Sequence, residues 1–246
     1  MSKIEWDKVG ERYYETGVDR GVLYLLKHGT YSKGVPWNGL IGATENPSGA
    51  EATPVYADNI KYLNLISNEE HKETIEAYSY PDEFDECIGE IELAKGVAIG
   101  QQKRRHFGFC YRSMIGNDTD GPDHGYKLRL IFDCIAGPSD RSHNSINESP
   151  EASSYSWELT TTPVAIEGYK PSSYLELDST KFVKDGIRNV LTRIEDVLYG
   201  SKGKNPRFPK VSEILDIFDQ EINLKDSEND FMLDSSGNRL QSRVFN

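Results

Sequence analysis

The sequence predicts a mainly β protein, an antiparallel sandwich or barrel-like pair of sheets with a flanking α-helix and a short helical extension at the C-terminus. Over the first 180 residues, several short segments alternate apolar and polar residues with a period of two, the pattern of strands with one buried face. Glycine, proline and asparagine separate these segments, as they do in turns. After residue 179 the apolar period changes to that of amphipathic helices.

The clearest strand pattern lies in residues 126–135, where five apolar side chains alternate with charged ones. Such alternation predicts a sheet that covers a core on one face only. One side carries Tyr126, Leu128, Leu130, Phe132 and Cys134, and the other carries Lys127, Arg129 and Asp133. The remaining strands are expected at 21–27, 40–44, 59–65, 73–78, 88–93, 106–112, 155–162 and 174–177.

Two helices are expected near the C-terminus. Residues 184–199 place apolar side chains at helical spacing, and Gly200 would end that helix. A second stripe predicts a helix near 211–222. The chain therefore divides into an N-terminal arm (1–15), a β domain with the first helix (16–200), and an extension (201–246) that holds the second helix and a loose polar tail.

Charge is distributed unevenly along the 246 residues, whose formal net charge is -12. Residues 181–246 carry equal numbers of acids and bases, so the whole excess lies in residues 1–180. Such a surface repels phosphate and opposes ordinary nucleic-acid binding.

No apolar run approaches the ~20 residues of a membrane span, and the N-terminus lacks the apolar region of a signal peptide. We therefore expect neither membrane insertion nor export by a cleaved signal.

No catalytic or metal-binding pattern stands out, so we expect neither an enzyme nor a cofactor or metal site. The three cysteines lack the spacing of a zinc site or a disulfide framework. Residues 116–127 offer Asp118 and Asp120 at EF-hand offsets, but Gly116 and Lys127 occupy the terminal ligand positions. This loop is therefore interpreted as a polar hairpin tip. In a separate part of the chain, Pro54 is interpreted as a break between two strands. Paired acids arise by chance among 40 acidic residues, which leaves an acid-pair hydrolase as the weakest alternative.

Four segments resemble the major tail tube proteins of long-tailed, siphovirus-type bacteriophages. The first is GVPWNGLIGATENPSGAEATPVYADNIKYLNLIS at 34–67, and the others span 86–132, 147–166 and 191–200. The resemblance implies a structural virion protein whose six copies form a ring, with rings stacked into the tube that delivers DNA to the host. It implies as partners further copies of the chain and the tape-measure, tail-terminator and distal tail proteins. Genomic DNA would pass without specific binding, in a virion tail assembled in the host cytoplasm.

Three groups of residues are candidate sites under this hypothesis. Acids on polar strand faces would line the lumen: Glu76, Glu90, Glu92 and Asp133. The loop 116–125 would contact a neighbouring ring through Asn117, Asp118, Asp120 and Asp123. The basic cluster Lys103, Arg104 and Arg105 would contact an acidic patch on a neighbouring subunit, although a solvated strand start explains the same cluster.

A second hypothesis is a β-sandwich carbohydrate-binding or adhesion module of a phage. Aromatic side chains such as Trp37 would then stack on sugars. Rings or tubes of the purified protein would favour the tail tube, whereas monomers would favour the binding module.

Overall fold

The computed structural model describes residues 3–143, 145, 152–184 and 188–222. Antiparallel strands make up most of the regular structure, which confirms the mainly β class. The predicted tail after residue 226 and part of the 137–150 loop lie outside the described residues. The strands are β1 (Tyr14–Lys27), β2 (Thr30–Tyr31), β3 (Val35–Trp37), β4 (Leu40–Glu45), β5 (Ser48–Gly49), β6 (Ala52–Ala57), β7 (Ile60–Ile66), β8 (Glu69–Glu70), β9 (Lys72–Ala77), β10 (Ile91–Ala94), β11 (Val97–Ile99), β12 (Phe107–Asn117), β13 (Gly121–Ala136), β14 (Tyr155–Thr161) and β15 (Tyr174–Asp178). The helices are α1 (Asp85–Ile88), α2 (Ser179–Lys184), α3 (Arg188–Tyr199) and α4 (Val211–Ile222), with a 3-10 turn at Asp82–Phe84.

The main sheet is antiparallel and strongly curved. Its strands follow the order β2-β1-β12-β13-β14-β9-β4, with β3 added to β1 and β15 to β13. The two ends of this path approach each other at Gly21 of β1. A methyl group on Gly21 would lie 3.2 Å from Leu40 Cδ2 and 3.2 Å from Trp37 Cβ. Glycine therefore permits the close approach that gives the sheet its barrel-like form.

Apolar clusters lie on both faces of the central strands, so the expectation of a core on one face only is wrong. Phe109 and Trp157 pack inside the barrel-like sheet. Leu128 and Leu130 face outward and pack against Ile194 of α3 and side chains of α4. The predicted helices supply the second cover, since an amphipathic helix buries its apolar stripe against the nearest apolar face.

A bulge in β13 changes which way its last residues point. Asp133 has a φ of 48°, and the pairing with β12 shifts between Ile131 and Cys134. The extra residue turns Cys134 into the barrel interior, whereas Phe132 packs on the helix side. The assignment of Cys134 to the same face as Leu128 is therefore wrong, because a bulge breaks the period of two.

Several boundaries differ from the prediction for local reasons. The expected strand at 88–93 begins only at Ile91, because α1 ends at Gly89 in the left-handed conformation (φ 81°). Pro54 lies within β6 rather than between strands; a strand at the edge of a two-stranded ribbon tolerates its missing donor. The 117–125 loop is a short turn between β12 and β13. Gly200 ends α3 with a φ of 83°, as predicted.

Candidate functional site

A two-stranded ribbon formed by β6 and β7 has no apolar cover within the described part of the chain. Every residue of β7 is exposed, and the Tyr62 side chain is 69% exposed. The pairing of β6 with β7 shifts by one residue between Val55 and Tyr56. Paired side chains share a face of the ribbon, so Ile60, Leu63 and Leu65 lie on one face, and Tyr56 and Ile66 lie on the other. Neither face of this ribbon therefore has a core of its own.

Local sequence explains why the ribbon forms. Its turn places Asp58 and Asn59 at φ values of 48° and 62°, the conformation of a type I′ hairpin turn that asparagine and aspartate tolerate. At its base, Gly49 has a φ of 86°, and a methyl group there would lie 2.3 Å from the carbonyl oxygen of Asn68. The Ser67 hydroxyl accepts a hydrogen bond from the Ala50 amide at 3.1 Å. Residues in its turn and at its base therefore explain why the ribbon forms, but no described residues cover its exposed faces.

A second ribbon, formed by β10 and β11, is also exposed. Leu93 is 64% exposed, and Ile91, Val97 and Ile99 are exposed beside it. The turn is closed by the Gly96 amide, which donates to Glu92 Oε1 at 2.8 Å. A groove of about 1260 Å³ separates this ribbon from the barrel.

Strand directions place the two ribbons at opposite ends of the barrel. β4 and β9 are antiparallel neighbours, so the last residue of β4 and the first residue of β9 lie at the same end of the sheet. Residues 46–71 connect the two strands at that end. β9 runs away from that end, and residues 78–106 connect its far end to β12. The ladder through β14 and β13 makes β12 antiparallel to β9. The β10–β11 ribbon therefore leaves from the end opposite to the β6–β7 ribbon.

The groove gathers six of the predicted site residues. Its lining includes Glu90, Glu92, Asp133, Lys103, Arg104 and Arg105. Asp133 pairs with His106 at 2.7 Å, and Glu90 pairs with Arg141 at 3.0 Å.

The basic cluster is only partly available to a partner. Arg105 forms an ion pair with Glu86, and Arg104 donates to the Ala136 carbonyl oxygen. Lys103 is exposed and has no ion pair with any described residue. Burial, followed by the charges of Glu90 and Asp82, raises the pKa of Asp85. Uncompensated charge of both signs therefore remains in the groove.

The turn between β12 and β13 holds the N-terminal arm. Asp118 Oδ1 accepts a hydrogen bond from the Gly10 amide at 3.0 Å, and Asn117 Nδ2 donates to the Gly10 carbonyl oxygen at 3.3 Å. Asp120 pairs with His124 at 2.8 Å, and that hydrogen bond lowers the pKa of Asp120. Asp123 borders a crevice beside α2 and α3. The arm beyond this turn exposes Ile4, Trp6 and Val9.

One buried guanidinium joins four strands near the base of the β6–β7 ribbon. Arg129 of β13 bonds Glu15 of β1 at 2.9 Å, Glu45 of β4 at 2.8 Å and Glu176 of β15 at 3.3 Å. Burial opposes its charge, but the hydrogen bond with Glu15 and the surrounding negative groups raise the pKa of Arg129. No sequence pattern indicates this cluster, since Glu15 and Glu45 lie far from Arg129 along the chain.

Two predicted surface residues differ in their placement. Glu76 is exposed on β9, as expected of a polar strand face. Trp37 is only 4% exposed, packs on Phe84 and donates from Nε1 to the Ser79 carbonyl oxygen at 2.9 Å. The expectation that Trp37 stacks on a sugar is therefore wrong, because the curved sheet encloses it.

The described residues include no helix with the length and apolar character needed to cross a membrane. They also bring together no three histidine, cysteine, aspartate or glutamate side chains that could hold a metal ion.

Three solved structures show weak similarity to the fold. A chain of the anti-feeding prophage baseplate, six-fold symmetrised, is 9% identical, with a TM-score of 0.36, covering 71% of this chain and 97% of that one. A chain of the sheath–tube complex of PVC, an extracellular contractile injection system, in the extended state is 11% identical, with a TM-score of 0.29 and coverages of 65% and 88%. A chain of the PVC sheath/tube terminator is 10% identical, with a TM-score of 0.26 and coverages of 71% and 99%. No protein-family model and no curated protein sequence matches this chain. Similarity at this level does not assign a function.

Proposed function

We propose that this chain is a non-enzymatic structural protein of a phage tail, which polymerises as stacked hexameric rings into the tube that delivers DNA. The observation that carries the proposal is the β6–β7 ribbon, which projects from the barrel-like sheet and exposes apolar side chains on both of its faces. An isolated two-stranded hairpin is marginally stable in water, and exposed apolar patches of this kind mark interaction sites. The number six and the tube rest on the sequence resemblance.

The end of the barrel that carries this ribbon supports stacking. β12 ends and β1 begins at the end of the barrel-like sheet from which the ribbon leaves, so the arm and the Asn117–Asp120 turn lie at that same end. Under the proposal, this end meets the next ring. Such contacts are heterologous, and heterologous contacts that do not close build open filaments.

One sheet face is free to line a lumen. Helices cover the outer side of β12 and β13, whereas β9 and β14 present polar outer faces. Glu76 of β9 lies opposite Ser156 of β14, and Glu158 follows on the same side. Acids on such a wall would leave DNA hydrated and mobile, since binding needs positive charge. We assign this face, rather than the groove that holds Glu90, Glu92 and Asp133, to the lumen.

The test compares the ribbon with another exposed surface. Replacing Ile60, Tyr62 and Ile66 by serine should leave the subunit folded and abolish assembly in electron micrographs and sedimentation velocity. Tyr169→Ser is the matched control, because Tyr169 is also exposed but lies outside the ribbon. Normal tubes from the triple variant would show that the ribbon does not carry assembly, whereas a wild-type chain that forms no rings or tubes would refute the proposal.

The rate of DNA ejection tests the assignment of the face that carries Glu76 and Glu158 to the lumen. The double variant Glu76→Lys/Glu158→Lys should assemble and should slow DNA ejection, more so at low salt where screening is weak. Glu167→Lys, at an exposed position outside this face, should eject DNA at the normal rate. The tape-measure, terminator and distal tail proteins remain the partners that this proposal requires.

A further inference from the structure

The wall of the barrel-like sheet has a seam between residues 14–20 of β1 and residues 40–45 of β4, where the two backbones do not pair. β3 pairs with β1 as far as Trp37, which lies opposite Gly21. The chain then turns at Gly39, which has a φ of 75°, and β4 pairs with β9 instead. Among the described residues, no backbone hydrogen bond crosses the seam. The side of β4 that faces β1 is therefore an unpaired strand edge.

One guanidinium joins the two sides of this seam at the end from which the β6–β7 ribbon leaves. Arg129 Nε donates to Glu45 Oε1 of β4 at 2.8 Å, and Arg129 Nη2 donates to Glu15 Oε1 of β1 at 2.9 Å. The Arg129 side chain is 9% exposed. A forked guanidinium can hold two carboxylates at once, through charge-assisted hydrogen bonds that are stronger than neutral ones. At this end, β4 is thus joined to β1 through side chains rather than through a backbone ladder.

Glu176 of β15 bonds the same guanidinium, but its strand has a second attachment. Glu176 Oε2 lies 3.3 Å from Arg129 Nη2, and these two residues are also direct partners in the β13–β15 ladder. The Tyr174 hydroxyl lies 3.3 Å from Glu45 Oε1 and 3.1 Å from Glu176 Oε2. The two glutamates therefore have similar partners. They differ in whether the backbone also holds their strand to β13.

We infer that the Arg129–Glu45 bond fastens the end of β4 to the barrel-like sheet, and that β4 opens locally, with the rest of the sheet still paired, when this bond breaks. Local opening of a strand costs less free energy than global unfolding. Residues 46–70 follow β4 directly, and β1 follows the N-terminal arm. The bond therefore also fixes the position of the β6–β7 ribbon relative to the arm. The inference concerns a single chain, so it stands or falls independently of the proposed assembly.

Native-state amide hydrogen exchange tests this role, because an amide exchanges when its hydrogen bond opens. Glu45→Gln should speed exchange about three- to fivefold both in β4 and in the centre of β13, since the lost bond stabilises the native chain relative to the locally open and the unfolded forms. Glu176→Gln is the matched control. It should speed exchange in the centre of β13 and leave β4 unchanged, because its bond survives the opening of β4.

Two results of that experiment would overturn the inference. Amides of β4 that keep the wild-type rate in Glu45→Gln would mean that the bond does not hold the strand. Amides of β4 that are accelerated equally by Glu45→Gln and Glu176→Gln would mean that Arg129 supports the whole sheet without a particular role at the seam.

Spin labels on the ribbon and on β1 provide a second measurement. Thr16→Cys and Tyr62→Cys place labels at two exposed positions, while the native cysteines are buried. The labelled chain is diluted with unlabelled chain, so that the distance within one chain is measured. We expect Glu45→Gln to broaden this distance distribution about twofold and Glu176→Gln to leave it at the wild-type width. The same width in all three chains would show that the ribbon does not move with β4 and would contradict the inferred positioning role.

Discussion

The barrel and the β6–β7 ribbon are built from similar residues, yet only the barrel covers its own apolar side chains. Ile75 of β9 and Leu159 of β14 are fully buried, whereas Tyr62 and Leu65 of β7 stand in solvent. Both regions are antiparallel, with turns that suit their sequence. The difference lies in what packs on each face. The barrel-like sheet covers its apolar side chains within one chain, whereas under the proposed assembly a second molecule would cover the ribbon.

The largest effect should come from placing a charge beneath the helices. Ile194→Asp would bury an unpaired carboxylate between α3 and the sheet, where Ile194 has no exposed surface. We expect a loss of about 5 kcal/mol in the free energy of unfolding, measured by urea denaturation. Ile194→Leu conserves volume and should cost less than about 1.5 kcal/mol. A wild-type midpoint for the aspartate variant would mean that the helix does not cover the sheet.

A cavity inside the barrel should have the next largest effect. Phe109 is fully buried and packs on Trp37 with ring centroids 5.3 Å apart. Phe109→Ala should lower the free energy of unfolding by about 3–5 kcal/mol, since the curved sheet cannot collapse fully around the gap. Thermal and urea unfolding of the monomeric subunit would measure it. A loss below 1 kcal/mol would contradict a close-packed interior.

The Arg129 cluster should make stability depend on acid pH, with a smaller effect. Burial opposes the charge of Glu15, but the hydrogen bond and charge of Arg129 outweigh it and lower the pKa of Glu15 below 4.5. That stabilisation is present above pH 4.5 and is lost as the pH falls through the folded value. Glu15→Gln should therefore cost less than about 1 kcal/mol at neutral pH, because Glu15 is partly exposed.

The pH dependence of the Glu15→Gln variant tests whether the ionised Glu15 carboxylate stabilises the fold. The difference in stability between wild type and Glu15→Gln should shrink below pH 4.5. A difference that stays constant from pH 7 to pH 3 would mean that Glu15 contributes no ionic stabilisation. Glu158→Gln serves as the control at an exposed position without a described ion-pair partner.

The smallest effect on stability should come from the ribbon itself. Tyr62→Ala removes a side chain with no cover in the monomer, so unfolding should change by no more than about 0.5 kcal/mol. The same change should weaken assembly in sedimentation velocity. A large loss of monomer stability would show that the ribbon packs on its own barrel and would remove the contrast between the two regions.

Sequence alternation predicted most strands of the body, because a half-buried strand repeats every two residues. In the predicted strand at 106–112, alternation puts Phe107, Phe109 and Tyr111 on one face, and that face lies inside the barrel. It missed the bulge at Asp133, since an inserted residue leaves no compositional signal. It also missed β6, because Pro54 is permitted at a ribbon edge.

The candidate site was less accessible to prediction from sequence. Lys103, Glu90 and Glu92 were selected for separate roles, but the fold places them around one groove. The Arg129 cluster joins residues more than 80 positions apart, and only the strand order brings them together. Tyr62 and Leu93 are exposed because no element of the described residues packs against them. The alternation of apolar and polar residues does not show which strand faces stay uncovered.

The most direct test of the central claim is electron microscopy of the purified full-length chain over a range of concentrations. The proposal predicts hollow tubes built from rings, with six-fold symmetry in averaged end views and a lumen wide enough for duplex DNA. The ribbon variant with serine at positions 60, 62 and 66 should give single subunits or unstacked rings on the same grids. Monodisperse single subunits of the wild-type chain at every concentration, with or without tail initiation proteins, would contradict the claim.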